Sequence, residues 1–232
     1  MRNIPSVETS ESQPKRQRLR REARRNHILN EAIQYFSEVG FDGGTRELAD
    51  RLGVKQPLLY RYFSSKEDLI REVYETVFVG RWKQEWNDLI SNRDIPLRDR
   101  LIQFYTGYIQ VQFKPEWIRI FLFSGLKGLE INRHYVTFME EHVLKKICGE
   151  IRCSCGLPPA DIIPIQPREL ATFWIFHSGV FYYGMRREVY GVPVHVGEDE
   201  FTELSVDGLL STLPKLMRQV LANCPIPDKP PE

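Results

Sequence analysis

The sequence predicts an all-α fold of about nine helices, divided between a small N-terminal three-helix unit and a larger helical body. Three observations predict it. Apolar residues recur at helical spacing through most of the 232 residues. No segment shows the strict apolar/polar alternation of a half-buried strand, and there is no repeat or heptad array. Glycines and prolines stand where helices should end or begin, as at Gly40, Gly53, Pro57, Pro96 and Pro115.

Residues 1–17 are polar, carry Pro5 and Pro14 and read as a disordered tail. Residues 18–66 read as the first unit, 67–224 as the body, and the proline-rich residues 225–232 as a flexible tail. The basic run over residues 15–25 has two readings: a solvated helix start, or an arm along phosphates or a minor groove. Ile28, Leu29, Ala32, Ile33, Phe36 and Val39 form one apolar stripe, and Gly40 supplies the stop. A short helix over 45–52 turns Leu48, Ala49 and Leu52 inward; Gly53 is the turn. Another runs over 56–63 with Pro57 in its first turn. Ser64 or Ser65 caps a long helix reaching about residue 91, with Glu67 and Asp68 suiting its positive end. Helices over about 96–113, from 115 to near Gly125 or Gly128, and over about 130–153, 168–190 and 200–223 follow. Pro158, Pro159, Pro164 and Pro167 make residues 156–167 a loop, and Pro214 predicts a kink or break in the last helix.

Two short helices joined at Gly53, with one helix before and a long one after, describe a helix-turn-helix. The second helix of such a pair enters the major groove with its N-terminal residues at the base edges. Here these are Lys55, Gln56, Pro57 and Leu58. Gln56 can pair with adenine N6/N7, Lys55 with guanine acceptors or phosphate, and Leu58 with a thymine methyl, because Leu59 and Phe63 take the core positions. Arg46 could reach a guanine or a phosphate; Tyr60, Tyr62 and Lys66 suit phosphate contacts. Charge agrees. Residues 1–66 hold 13 basic against 8 acidic residues, a balance of +5, whereas the remainder holds 19 against 23, a balance of −4. A basic first quarter on an acidic body points to a polyanion.

The runs Thr45-Arg46-Glu47-Leu48-Ala49, 52–63 and Ser65-Lys66-Glu67-Asp68-Leu69, with Phe36-x-x-x-Gly40-Phe41 upstream, resemble the DNA-binding signature of the TetR (tetracycline repressor) family over residues 24–72. The resemblance implies base contact by Arg46, Gln56, Pro57 and Leu58, and phosphate contact by Thr45, Tyr60, Tyr62 and Lys66. Lys55 and Gly44 depart from it, standing where many relatives place a capping hydroxyl, at a cost of up to about 1 kcal/mol each. It further implies a one-component regulator, commonly a repressor, that binds a palindromic operator as a homodimer and is released by a small molecule. Some relatives contact a protein partner instead. A dimer also follows from specificity, since one short recognition helix reads few base pairs and a two-fold pair reads two half-sites.

The body is rich in aromatics. Tyr105, Tyr108, Trp117, Phe121, Tyr135, Trp174, His177, Phe181 and Tyr182 are either core or the lining of a pocket for a small apolar or aromatic ligand. Residues 173–185 are apolar around most of the helix and should be buried on more than one side. With the stripe Val206, Leu209, Leu213, Leu216 and Val220, Tyr183 on this helix would form the four-helix dimer interface that the resemblance implies; Gly179 and Gly184 would permit close approach. The long helix from Ser65 onward joins the two units and is the expected lever between ligand and DNA. No cofactor, metal site or enzyme is expected: G-x-S-x-G, H-E-x-x-H and a phosphate-binding glycine loop are missing, and Cys148, Cys153 and Cys155 lack paired C-x-x-C spacing. No signal-like h-region is visible and the longest apolar stretch, 171–183, is too short to span a bilayer, so a cytoplasmic location is expected.

Overall fold

A computed structural model describes residues 12–224, which pack as two units divided between Thr76 and Val77. All regular structure among them is helical. The tails expected over residues 1–11 and 225–232 lie outside the described residues. Helix α1 (Ser12–Val39) begins inside the segment read as a tail.

In the first unit α1, α2 (Thr45–Arg51), α3 (Gln56–Tyr60) and α4 (Lys66–Tyr74) close on one apolar centre. Ile28, Ala32 and Phe36 of α1 meet Leu48 and Ala49 of α2, Leu59, Phe63, Leu69 and Val73, all buried. Val39, counted in the stripe from sequence, is exposed because the chain turns at Gly40, whose φ of 76° is open to glycine at no steric cost. Tyr35 donates to Glu47 at 2.6 Å and fixes α1 against the start of α2; burial, then this bond, pushes its phenol up to about 12. Arg51 grips Glu38 through two nitrogens, and Arg25 pairs with Glu72 while lying over the Phe63 ring. Ser65 is the cap of α4, accepting from the Asp68 amide.

The helix expected over 65–91 is divided. After α4 the chain makes a π-helical turn (Glu75–Val79), leaves the helix at residues 80–83 and resumes as α5 (Gln84–Ser91). Gly80 is a weak helix former, and the break lets Trp82 set its ring 5.0 Å from both Trp86 and Phe138. The expected single lever is therefore two segments.

The second unit continues with α6 (Leu97–Gln112), α7 (Pro115–Leu126), α8 (Glu130–Met139), a π-helical turn (Glu140–Leu144), α9 (Lys145–Ser154), α10 (Pro167–Glu188) and α11 (Glu198–Leu221). Its core joins Ile90, Leu101, Phe104, Ile147, Phe173, Val206, Leu213 and Met217. Pro214 does not break α11, which is helical on both sides of it. Two buried ion pairs pin the layers. Arg152 and Glu169, both at 0% side-chain exposure, are joined through two oxygens, and Arg152 also donates to the carbonyls of Pro158, Ile163 and Pro164, holding the proline loop. Glu169 closes a capping box with Gln166 at the start of α10. Glu150 accepts from Arg100 at 2.9 Å and from Arg93 at 2.9 Å. Among the described residues no helix is long and apolar enough to cross a membrane.

Candidate nucleic-acid interface

The first unit builds a reading edge from the turn outward. Gly53, at φ 64°, reverses the chain after α2, and the Val54 amide bonds back to Ala49 at 2.9 Å. Lys55 then stands at the N-cap of α3 with no side-chain cap, as does Gly44 before α2. Leu59 and Phe63 turn inward, which leaves Pro57 and Tyr60 exposed and Gln56 and Leu58 half-buried. The regular part of α3 ends at Tyr60, so Tyr62 and Phe63 lie in the following turn and not in the helix.

Three of the expected contacts are tied together. Gln56 Nε2 donates to Thr45 Oγ1 at 2.7 Å, and Thr45 Oγ1 lies 3.0 Å from the Tyr60 hydroxyl. Thr45 is consequently buried, and it acts on any ligand chiefly by positioning the other two. Arg46 and Lys55 are exposed and Lys66 is half-buried; none makes an ion pair among the described residues. Tyr62 is turned to a different place. It shares a groove of about 580 Å³ with Gln17, Arg20, Arg21, Arg24 and Arg61. Arg61 was not singled out from sequence. Its signal is only the spacing of α1, where positions 17, 20, 21 and 24 share one helical face.

The second unit holds a separate cavity of about 120 Å³. Of the aromatic residues marked from sequence, Tyr108, Trp117, Phe121, Tyr135, Trp174, His177 and Phe181 line it, joined by Val136 and Ser178. Trp117 and Phe121 stack at 5.1 Å and 6°, and Tyr108 and Tyr135 share a hydrogen bond of 2.5 Å between their hydroxyls. Burial raises both phenols and depresses the His177 imidazole to about 4, so the wall is uncharged near neutral pH. Trp174 Nε1 is committed to Glu140 at 2.9 Å, whereas the buried indole N–H of Trp117 has no partner. Tyr105 is not a lining residue: it packs behind the cavity with its hydroxyl 3.5 Å from His177 Nδ1. Tyr182 is not one either. At 54% exposure it lies on the outer face of α10, its ring 6.4 Å from that of Tyr190.

The interface expected from Tyr183, Val206, Leu209, Leu213, Leu216 and Val220 needs correction. All except the half-buried Leu216 are buried within the chain itself, because that stripe is the side of α11 that packs on α10 and α6. Gly184 serves an internal contact as well, since a Cβ there would meet Phe113 at 2.9 Å. The apolar surface that α10 and α11 leave open is different. It is a groove of about 340 Å³ with Ile175 at 75% and Leu204 at 59% exposure, running past Gly179 and Gly208, where an added Cβ would meet nothing.

Residues 28–73 match the family model described as bacterial regulatory proteins, tetR family. Over 90 residues the chain is 32% identical to the tetracycline repressor protein class A from transposon 1721 of Escherichia coli, covering 35% of this chain and 42% of the relative. It is 42% identical over 59 residues to the HTH-type transcriptional activator FasR of Mycolicibacterium smegmatis, covering 25% and 27%. The chain thus spans less than half the length of these relatives. A solved tetR-family transcriptional regulator from Streptomyces coelicolor superposes with a TM-score of 0.52 at 18% identity, covering 88% of this chain and 90% of that one, which extends the likeness in fold to the helical body.

Proposed function

Starting from a chain that belongs to the tetR family of bacterial regulatory proteins by its N-terminal domain, we propose that it is a dimeric transcription regulator that reads a palindromic DNA operator with α3 and is released by a small neutral ligand in the body. The observation that carries the DNA reading is the chain Tyr60–Thr45–Gln56 beside the exposed Arg46, Lys55 and Pro57. It sets an amide and a phenol at the edge of a unit whose balance of charge is +5 over residues 1–66. Amide and guanidinium groups are those that read base edges, and lysine and tyrosine suit phosphate.

The ligand reading rests on the cavity. An apolar cavity on the order of 150 Å³ accommodates benzene, so about 120 Å³ suits a ligand of a single ring. Aromatic walls favour a neutral ring. The existence of this cavity favours a small molecule over a protein partner as the signal. Dimerisation is proposed through the open face around Ile175, Gly179, Leu204 and Gly208, in place of the stripe read from sequence. We take repression as the sign of regulation, following the tetracycline repressors, and the cytoplasm as the place.

Selection from a random duplex library tests the reading. The parent should enrich an inverted repeat, and Gln56→Ala should lose discrimination at one base pair in each half, by about 1–3 kcal/mol or roughly 5- to 150-fold. Enrichment of no common sequence would refute operator binding.

A further inference from the structure

We propose that the arginine face of α1 and the end of the recognition helix form a second, sequence-independent DNA contact: a rigid phosphate clamp made by Arg20, Arg21, Arg24 and Arg61. The proposal rests on the DNA reading above and adds a site to it. Helix α1 is regular from Ser12, yet from Arg16 onward, where its side chains are described, the first buried residue is Ile28. At about 1.5 Å per residue, Gln17 stands about 17 Å beyond the point where the core begins. Apart from Arg25, which ties it to Glu72 and Phe63, residues 16–27 of this projection bury no side chain in the unit, so the remaining charges are free to serve a partner.

Its charges are not spread evenly. Arg18 is spent on Glu22, and Arg25 on Glu72 and the Phe63 ring. Arg20, Arg21 and Arg24 turn instead toward Arg61 and Tyr62 and line the 580 Å³ groove with Gln17. No carboxylate lines that groove, and none of its four guanidinium groups makes an ion pair among the described residues. Four like charges around one concavity repel one another, and a polyanion removes the repulsion. Guanidinium forks match phosphate oxygens in geometry.

The position selects DNA as that polyanion. Arg61 and Tyr62 follow directly on α3, whose N-terminal residues face the bases in the proposed complex. Chain just past a recognition helix runs by the phosphates that wall the major groove. A helix held beside it presents Arg20 and Arg24 one turn apart along the same wall. The basic segment is thus a preformed helical rail on the backbone, and it does not need to order itself in a minor groove.

Salt titration of DNA binding tests this. The variant Arg20→Gln/Arg21→Gln/Arg24→Gln keeps helix propensity, and Arg133→Gln/Arg168→Gln/Lys215→Gln removes the same charge from the second unit. Each is titrated with a duplex enriched by the parent and with a random-sequence duplex. Each lost phosphate contact lowers the slope of log K against log salt by about 0.9. The proposed dimer loses six such contacts, three in each subunit, so raising NaCl from 0.1 to 0.2 M should weaken the parent by about forty-fold more than the α1 variant, on both duplexes, with their affinity ratio unchanged. The charge-matched variant should keep the parent slope. An unchanged slope in the α1 variant, an equal fall in the charge-matched one, or a loss confined to the enriched duplex would overturn the clamp. A parent that binds both duplexes alike refutes operator reading and leaves the clamp standing on its slope; a parent that binds neither refutes both.

Discussion

His177 should make the helical body acid-sensitive, and replacing it by phenylalanine should remove that sensitivity. The imidazole is buried among Tyr105, Tyr108 and Trp174, and burial depresses it from 6.5 to about 4. The unfolded chain therefore takes up a proton near pH 6.5 that the folded body refuses until about pH 4. Stability is complete above pH 6.5 and falls as pH drops through this window. The loss is about 2 kcal/mol at pH 5 and approaches about 3 kcal/mol below pH 4. All four tryptophans lie between residues 82 and 174, so their fluorescence in urea reports the body alone. The measurement is the unfolding free energy at pH 8 minus that at pH 5, in the parent and in His177→Phe. Other titrating groups contribute to both and cancel. The parent's difference should exceed the variant's by about 2 kcal/mol. Equal differences would show that the imidazole is not excluded from water and would refute the uncharged wall.

Three further outcomes follow from the packing. Arg152→Met leaves the Glu169 carboxylate buried and frees the proline loop, so urea unfolding should show a loss of about 3–5 kcal/mol, and adding Glu169→Leu should recover part of it. Gly184→Ala forces a methyl against Phe113 and Ile118 and should cost about 1–3 kcal/mol by the same assay, whereas Gly179→Ala meets open space and should be nearly neutral. Leu204→Lys places a charge on the open α10–α11 groove; sedimentation should show a dimer in the parent and a monomer in the variant, with thermal stability of the isolated subunit retained.

The head was legible because its signals are local. Gly40 and Gly53 mark the turns, Ser65 caps α4, and the α1 stripe from Ile28 to Phe36 names its own core. The body was legible as helices and less so as surfaces. Periodicity says that one face of α11 is buried without saying by what, so Val206 and Leu213 read as an interface when they are core. The open face is lined by Ile175, Phe176, Phe201 and Leu204 interspersed with glycine, serine and threonine, and only Ile175 and Leu204 among these large apolar residues are exposed. Arg152 and Glu169 look like solvated charges in a sequence, because their pairing spans a loop that no local pattern resolves. The cavity's aromatics were visible as a group, yet helical spacing alone does not separate Phe181, which lines it, from Tyr182, which turns away. The break at residues 80–83 depends on where the Trp82 ring finds partners, which is a tertiary matter.

The tether from Tyr60 through Thr45 to Gln56 has a consequence for the proposed reading of an operator. A free glutamine gives up about 1.5–2 kcal/mol of rotamer entropy when it is immobilised. Here the amide is held before any duplex arrives, with one N–H occupied by Thr45. The conformational loss falls in folding, and the meeting with a base is left as a comparison of donor and acceptor patterns. In the proposed complex a mismatched pair would confront an amide that must break its bond to Thr45 to swing aside, and discrimination would follow from stiffness as much as from chemistry.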